Sequence, residues 1–111
     1  PEVAAVGKLA LNMVLLAANF MPRGGALEFR AGGDVGRPDI TLRGQGSLVI
    51  LDETALETLA SGCRRDAEVV KDLNARFVQP FLTGILAADF GLAVNAATTG
   101  EGQFEVSTIT A

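Results

Sequence analysis

The sequence predicts an α+β fold, a two-layer sandwich of helices on one face of a mainly antiparallel sheet. Three observations predict it. Apolar residues recur at three- and four-residue spacing over residues 2–20 and again over 73–89, the period of a helix with a buried face. Two pairs of alternating segments, ALEFRA with DITLRG and GLAVNAAT with QFEVSTIT, each flank a turn-rich stretch, as antiparallel hairpins do. The order is helix, strand, strand, short helix, long helix, strand, strand, which places helices against a sheet of local hairpins.

Residues 2–20 carry Val3, Val6, Ala10, Met13, Ala17 and Phe20 on one stripe, with Pro1 suited to a first helical position. From Leu9 onward the apolar residues nearly encircle the axis, so this helix is expected to be buried on more than one side. MPRGG breaks it, with Gly24 or Gly25 supplying a left-handed end. Residues 26–31 alternate, with Leu27, Phe29 and Ala31 on the inner face of a half-buried strand. GGDVGRP reads as a polar turn into DITLRG, where Ile40 and Leu42 share a face. In LVILDETALETLASG, an apolar lead-in precedes Asp52, a helix cap, and the short helix it starts ends near Gly62. RRDAEVVKD is a charged segment. The second long helix, 73–89, is predicted to face inward with Phe77, Phe81, Leu82, Ile85 and Leu86. Pro80 within it either kinks the helix or sits in its first turn. The last two strands turn at TGEG.

The composition removes whole classes of chemistry. A chain of 111 residues holds one domain with a real core and is too short for two. A net charge of −4 gives no general attraction to nucleic acid or an anionic membrane. Leu9 to Met21, the longest apolar stretch, is too short to span a bilayer. The absence of a basic leader and cleavage site, with Cys63 as the one cysteine, makes a reducing, cytoplasmic setting the expectation. There is no histidine, so a Ser-His-Asp triad, a Cys-His pair, a His-ligated metal and a phosphohistidine are all excluded from these residues. Cys63 has no catalytic partner near it in sequence, and Asp52 with Glu53 reads as a helix start.

The element order, together with KLALNMVLLA, resembles the ATP-binding (Bergerat) fold of histidine kinases and their relatives. In that fold the first helix bears N-x-x-x-N-A, whose second Asn holds magnesium. The second strand runs into D-x-G-x-G, whose Asp reads adenine, and a Gly-rich loop opens the last long helix over the phosphates. Here Asn12 falls on the first Asn and Ala17 on the Ala, but the magnesium position is Leu16, which offers no oxygen to a hard cation. Leu42-Arg43-Gly44-Gln45-Gly46 keeps the glycine spacing, with Leu42 at the adenine-reading position. LNARFVQP, before the last helix, contains no glycine to let backbone amides approach phosphate. Arg43 and Arg76 stand as substitute phosphate ligands, against the ordinary reading of a solvated surface arginine. Asn12 is read as a helix asparagine satisfied by backbone or a neighbouring loop, and Gly44 and Gly46 as turn residues.

KLALNMVLLA, MPRGGALEFRA and RFVQPFLTGILAADFGLAV, in that order, are similar to the C-terminal half of the alphaproteobacterial histidine phosphotransferases of the ChpT type. The resemblance implies a degenerate ATPase-like domain, residues 1–111, with no ATP, metal or other cofactor. The family passes phosphoryl groups from a hybrid histidine kinase to response-regulator receiver domains. It uses a histidine on an N-terminal helical hairpin that dimerises. That hairpin lies outside these residues, so the expectation is a domain excised from a longer, homodimeric protein. This chain would be non-catalytic, supporting the histidine-bearing dimer and docking receiver domains, while the full-length protein moves phosphoryl from His to Asp. Receiver domains present acidic phosphorylation sites, which makes Arg23, Arg64 and Arg65 the candidate partner contacts. Lys71, Asp66, Glu68 and Asp72 are read as a solvated mixed-charge segment around the last two. Two other readings stand: a nucleotide-binding domain with atypical ligands, and an interaction module unrelated to signalling.

Overall fold

The computed structural model describes residues 2–111, so the placement of Pro1 at a first helical position lies outside the described residues. Helix α1 (Glu2–Asn19) buries Leu9, Met13, Leu16 and Ala17, and Phe20 just beyond it. Leu11 and Leu15 stay 59% and 46% exposed, so the burial runs along two sides and not around the whole axis. Val3, expected on the inner stripe, is exposed because the stripe meets the sheet only from Val6 onward. The helix tightens at its end, where Phe20 and Met21 donate to the carbonyls of Ala17 and Ala18. The left-handed residue is Gly24, in a separate turn closed by its own N–H on Met21 O. It shapes the path into the sheet and does not end the helix.

Strands β1 (Ala26–Asp34) and β2 (Arg37–Gln45) form a longer hairpin than the alternation predicts, because GGD and RP pair across a two-residue turn. The glycines and aspartate read as turn material; cross-strand pairing with β2 overrides that local preference. Strands β3 (Leu92–Gly100) and β4 (Gln103–Thr110) form the second hairpin, and the antiparallel sheet has the order β1-β2-β4-β3. Inner-facing Ile40, Leu42, Phe104, Val106, Leu92 and Val94 are buried under the helices. Strand β1 was expected to be half-buried. Only Leu27 is partly covered, and Phe29 remains 48% exposed, because β1 is an outer strand beyond helical cover.

Helix α2 (Glu53–Cys63) starts where predicted: the Asp52 carboxylate accepts from Thr54 N–H at 2.9 Å. The charged segment after it forms a 3-10 turn over Ala67–Asp72. The predicted long helix 73–89 divides into a 3-10 turn, Ala75–Phe77, and α3 (Val78–Ala88). Pro80 lies in the first turn of α3, where its missing N–H has no helical acceptor to lose. The inner face of α3 keeps Phe81 of the predicted set but is rotated from the rest of it. Pro80, Phe81, Thr83, Gly84 and Ala87 are buried, whereas Leu82 is exposed and Ile85 and Leu86 are half-covered. The cause is a close crossing of α3 on α2, in which Gly84 abuts the backbone of Leu59 and Cys63 while Gly62 abuts the carbonyl of Phe81. Backbones that approach so nearly rotate α3 to put its small residues inward.

Among the described residues, no helix is long and apolar enough to cross a membrane. A methyl group at position 84 would collide with the main chain of α2, which cannot move aside as a side chain can. Gly84→Ala is therefore expected to destabilise the fold by about 1–3 kcal/mol, read as a fall in urea midpoint at unchanged slope.

Candidate functional site

Of the positions at which the sequence aligns with nucleotide contacts, the fold brings two, Leu16 and Leu42, into one core cluster. Leu16 is 1% exposed and lies in the same core cluster as Leu42, which is fully buried on β2. Gly44 is on β2 as well, with ordinary negative φ, and its role is steric: the Phe104 ring occupies the space a side chain would need. Gly46 donates to Gly102 O at 3.0 Å and lies against the carbonyl of Gly24. The turn reading of Gly44 gives way to this packing reason. Asn12 donates its Nδ2 to Lys8 O at 2.8 Å, along its own helix.

A cavity of about 560 Å³ opens between the end of α1, the segment before α2 and the start of α3. Leu16, Phe20, Ile50, Leu51, Phe77 and Pro80 give it an apolar floor. Its polar groups are Asn19, Asp52, Glu53 and Arg76. Arg76 donates Nη2 to Asp52 Oδ2 at 3.2 Å and lies 5.3 Å from the centroid of Phe77. The same Asp52 caps α2 through its other oxygen, so the helix N-terminus that would attract an anion is already served by a carboxylate. Two carboxylates against one guanidinium leave the mouth net acidic. Arg43, the other candidate phosphate ligand, lies on β2 and pairs with Glu105 at 3.2 Å. The two arginines do not converge on one site.

Behind the cavity, α1 is fastened to α3 by a polar clip that the periodicity conceals. Gln79 Nε2 donates to Asn12 O at 2.6 Å and to Thr83 Oγ1 at 2.7 Å, with Asn12 Oδ1 further off at 3.4 Å. Thr83, fully buried, donates in turn to Gln79 O at 2.8 Å. Gln79 Oε1 is buried without a hydrogen-bond partner among the described residues. The available signal was a Gln and a Thr four residues apart in an otherwise apolar helix, a pair whose side chains meet on one face.

The candidate partner contacts occupy two places. Arg23 is exposed in the turn after α1, next to Pro22, which lines the cavity. Arg64 and Arg65 follow α2 at its opposite end, about 16 Å of helix from Asp52. Arg64 Nη2 donates to Ser61 Oγ at 3.3 Å, and Arg65, with φ of 55°, pairs with Asp89 just past α3. Cys63 is a half-covered free thiol.

Residues 3–102 match the family described as the histidine phosphotransferase C-terminal domain. The chain is 32% identical, over 94 residues, to the protein phosphotransferase ChpT of Brucella abortus, a match that covers 85% of this chain and 43% of that protein. A solved bacterial phosphotransferase structure superposes with a TM-score of 0.73 at 25% identity, covering 95% of this chain and 48% of that one. The chain thus spans less than half the length of each of these relatives.

The clip gives a contrast between two substitutions. Thr83→Val keeps the shape but removes the acceptor of a half-buried Gln79 N–H, and should lower stability by about 1–2 kcal/mol. Asn12→Ala leaves the backbone carbonyl that Gln79 uses, and its unfolding midpoint should stay within about 0.5 kcal/mol of the parent. Denaturant unfolding of both variants checks the pair.

Proposed function

The chain belongs to the histidine phosphotransferase C-terminal domain family, and on that premise we propose that it is the non-catalytic domain of a phosphorelay histidine phosphotransferase. In this reading it braces a dimeric, histidine-bearing segment elsewhere in the protein and docks response-regulator receiver domains. A hybrid histidine kinase supplies the phosphoryl group. The domain itself is a degenerate ATPase-like fold that binds no nucleotide, and no step of the transfer takes place on it.

The observation that carries the reading is Leu16. At the position aligned with a magnesium ligand, the side chain is packed into the core and forms one wall of the cavity. A magnesium–nucleotide complex needs oxygen ligands there and a positive surface for its phosphates. The cavity offers hydrocarbon at its floor and a net acidic rim instead. The family match is the second support, since the relative from Brucella abortus is named a protein phosphotransferase.

Two measurements test it. A ligand at a hundred times its dissociation constant stabilises a fold by about 2.7 kcal/mol, so millimolar Mg-ATP should leave the melting temperature unchanged. A rise that disappears on Asn12→Ala would overturn the no-nucleotide part. For docking, calorimetric titration with an isolated receiver domain should show binding, and Arg23→Glu with Arg64→Glu should weaken it about tenfold, or ~1.4 kcal/mol. Arg65 is kept because it already pairs with Asp89. Equal affinity in parent and variant would remove the arginines from the docking surface.

A further inference from the structure

Among the described residues, the outer edge of β1 has no strand beyond it. Helix α1 packs on α3 and β2, while α2 and α3 reach β3, so helical cover favours the opposite side of the sheet. The register of β1 on β2 runs unbroken from Ala26 to Asp34, whereas the other edge strand, β3, carries an irregularity between Thr98 and Gly100. Proteins commonly guard such edges with a bulge, a proline or an edge lysine. Strand β1, ALEFRAGGD, has no proline, lysine or register shift; its left-handed Gly33 lies beyond Ala31, and its edge charges over residues 27–31 are one Glu28 and one Arg30.

The direction of its hydrogen-bonding groups follows from β2. Ile40 donates its N–H to Thr108 Oγ1 on β4 at 3.0 Å, and the Pro38 carbonyl also accepts from Thr108. Ile40 therefore turns its main chain away from Ala31, the residue opposite it. In an antiparallel ladder the bonded and non-bonded pairs alternate, so Leu27, Phe29 and Ala31 aim their N–H and C=O groups outward. Glu28 and Arg30 flank Phe29 on the opposite face of the sheet, 2.9 Å apart and largely exposed.

We propose that β1 pairs antiparallel with β1 of a second copy of this chain, centred on Phe29, extending the sheet across a two-fold axis. The axis sets Phe29 opposite the partner's Phe29 and Leu27 opposite the partner's Ala31, twice. Each of these pairs exchanges two main-chain hydrogen bonds. On the solvent face, Glu28 comes opposite the partner's Arg30 and Arg30 opposite the partner's Glu28. Both charge pairs are then complementary, and the local Glu28–Arg30 contact is exchanged for two cross-strand ones. On the helix side the two Phe29 rings cover each other. The charge order E-F-R is what commits this edge to itself: in this register it matches its own reversal and would meet like charge in a strand of E-F-E or R-F-R pattern. The proposal is independent of the phosphorelay reading.

Sedimentation equilibrium of the 111-residue chain over a concentration series tests it, with a cooperative urea transition as the check that the chain is folded. The expected result is reversible doubling of the 11.5 kDa mass. Arg30→Glu and Glu28→Arg, each alone, place like charges opposite each other twice and should weaken association about tenfold. An equimolar mixture of these two variants restores every opposite-charge pair and should form a one-to-one heterodimer of parental affinity. Glu57→Arg, on an exposed position of α2, makes the same net-charge change as Glu28→Arg away from the edge and should leave association unchanged. A chain that stays monomeric to millimolar concentration overturns the proposal. So does association that ignores both edge variants, follows the Glu57 control, or is not recovered by mixing.

Discussion

Phe20, just past the end of α1, meets Phe104 of β4 edge to face with ring centroids 5.6 Å apart. The contact exists because Gly44 on β2, paired with Phe104 in the ladder, leaves room for the ring. It joins the first helix to the middle of the sheet, and both rings are essentially inaccessible to water. Edge-to-face pairs of this kind add about 0.5–1.5 kcal/mol beyond the area they bury. Their larger effect here is positional. With Phe20 fixed, its carbonyl accepts from Ile50 N–H at 2.9 Å, which brings the segment before α2 back against α1 and sets one wall of the cavity.

The cavity is thus a consequence of how α1 is held from both sides. The sheet takes Leu9, Met13 and Phe20, and α3 takes the Asn12 carbonyl through Gln79. What remains between them is a concave apolar surface with Asp52 and Arg76 at its mouth. Asp52 is committed twice, to Thr54 N–H and to the Arg76 guanidinium. Arg76 and Asp52 are partly solvated, so their pair contributes little to stability, about 0–1 kcal/mol. Its relevance is to charge: it sets a carboxylate beside the guanidinium at the cavity mouth.

The outer strand shows the opposite case, a part of the sheet that the helices do not reach. Phe29 is on the helix-facing side of β1 by alternation and is still half exposed. The sheet is wider than the layer above it. An apolar residue there has lost the water-excluding partner that the same alternation secures for Leu42 one strand further in.

Much of this was legible in the residues. The element order, both hairpins, the Asp52 cap and the α+β class follow from periods and breakers, which are local and survive any tertiary arrangement. Membership of the phosphotransferase family was also within reach, because it rests on the order of several segments and not on one motif. The inner face of α3, the reason for Gly44, the Gln79 clip and the exposure of Phe29 were not legible. Each depends on what a residue meets across the fold: a helix backbone against Gly84, a ring against Gly44, a carbonyl of α1, or no helix at all. Sequence fixes which side chains share a face, because that is set by the repeat of the element. Only the packed structure decides which face is covered, because that depends on distances between elements remote along the chain.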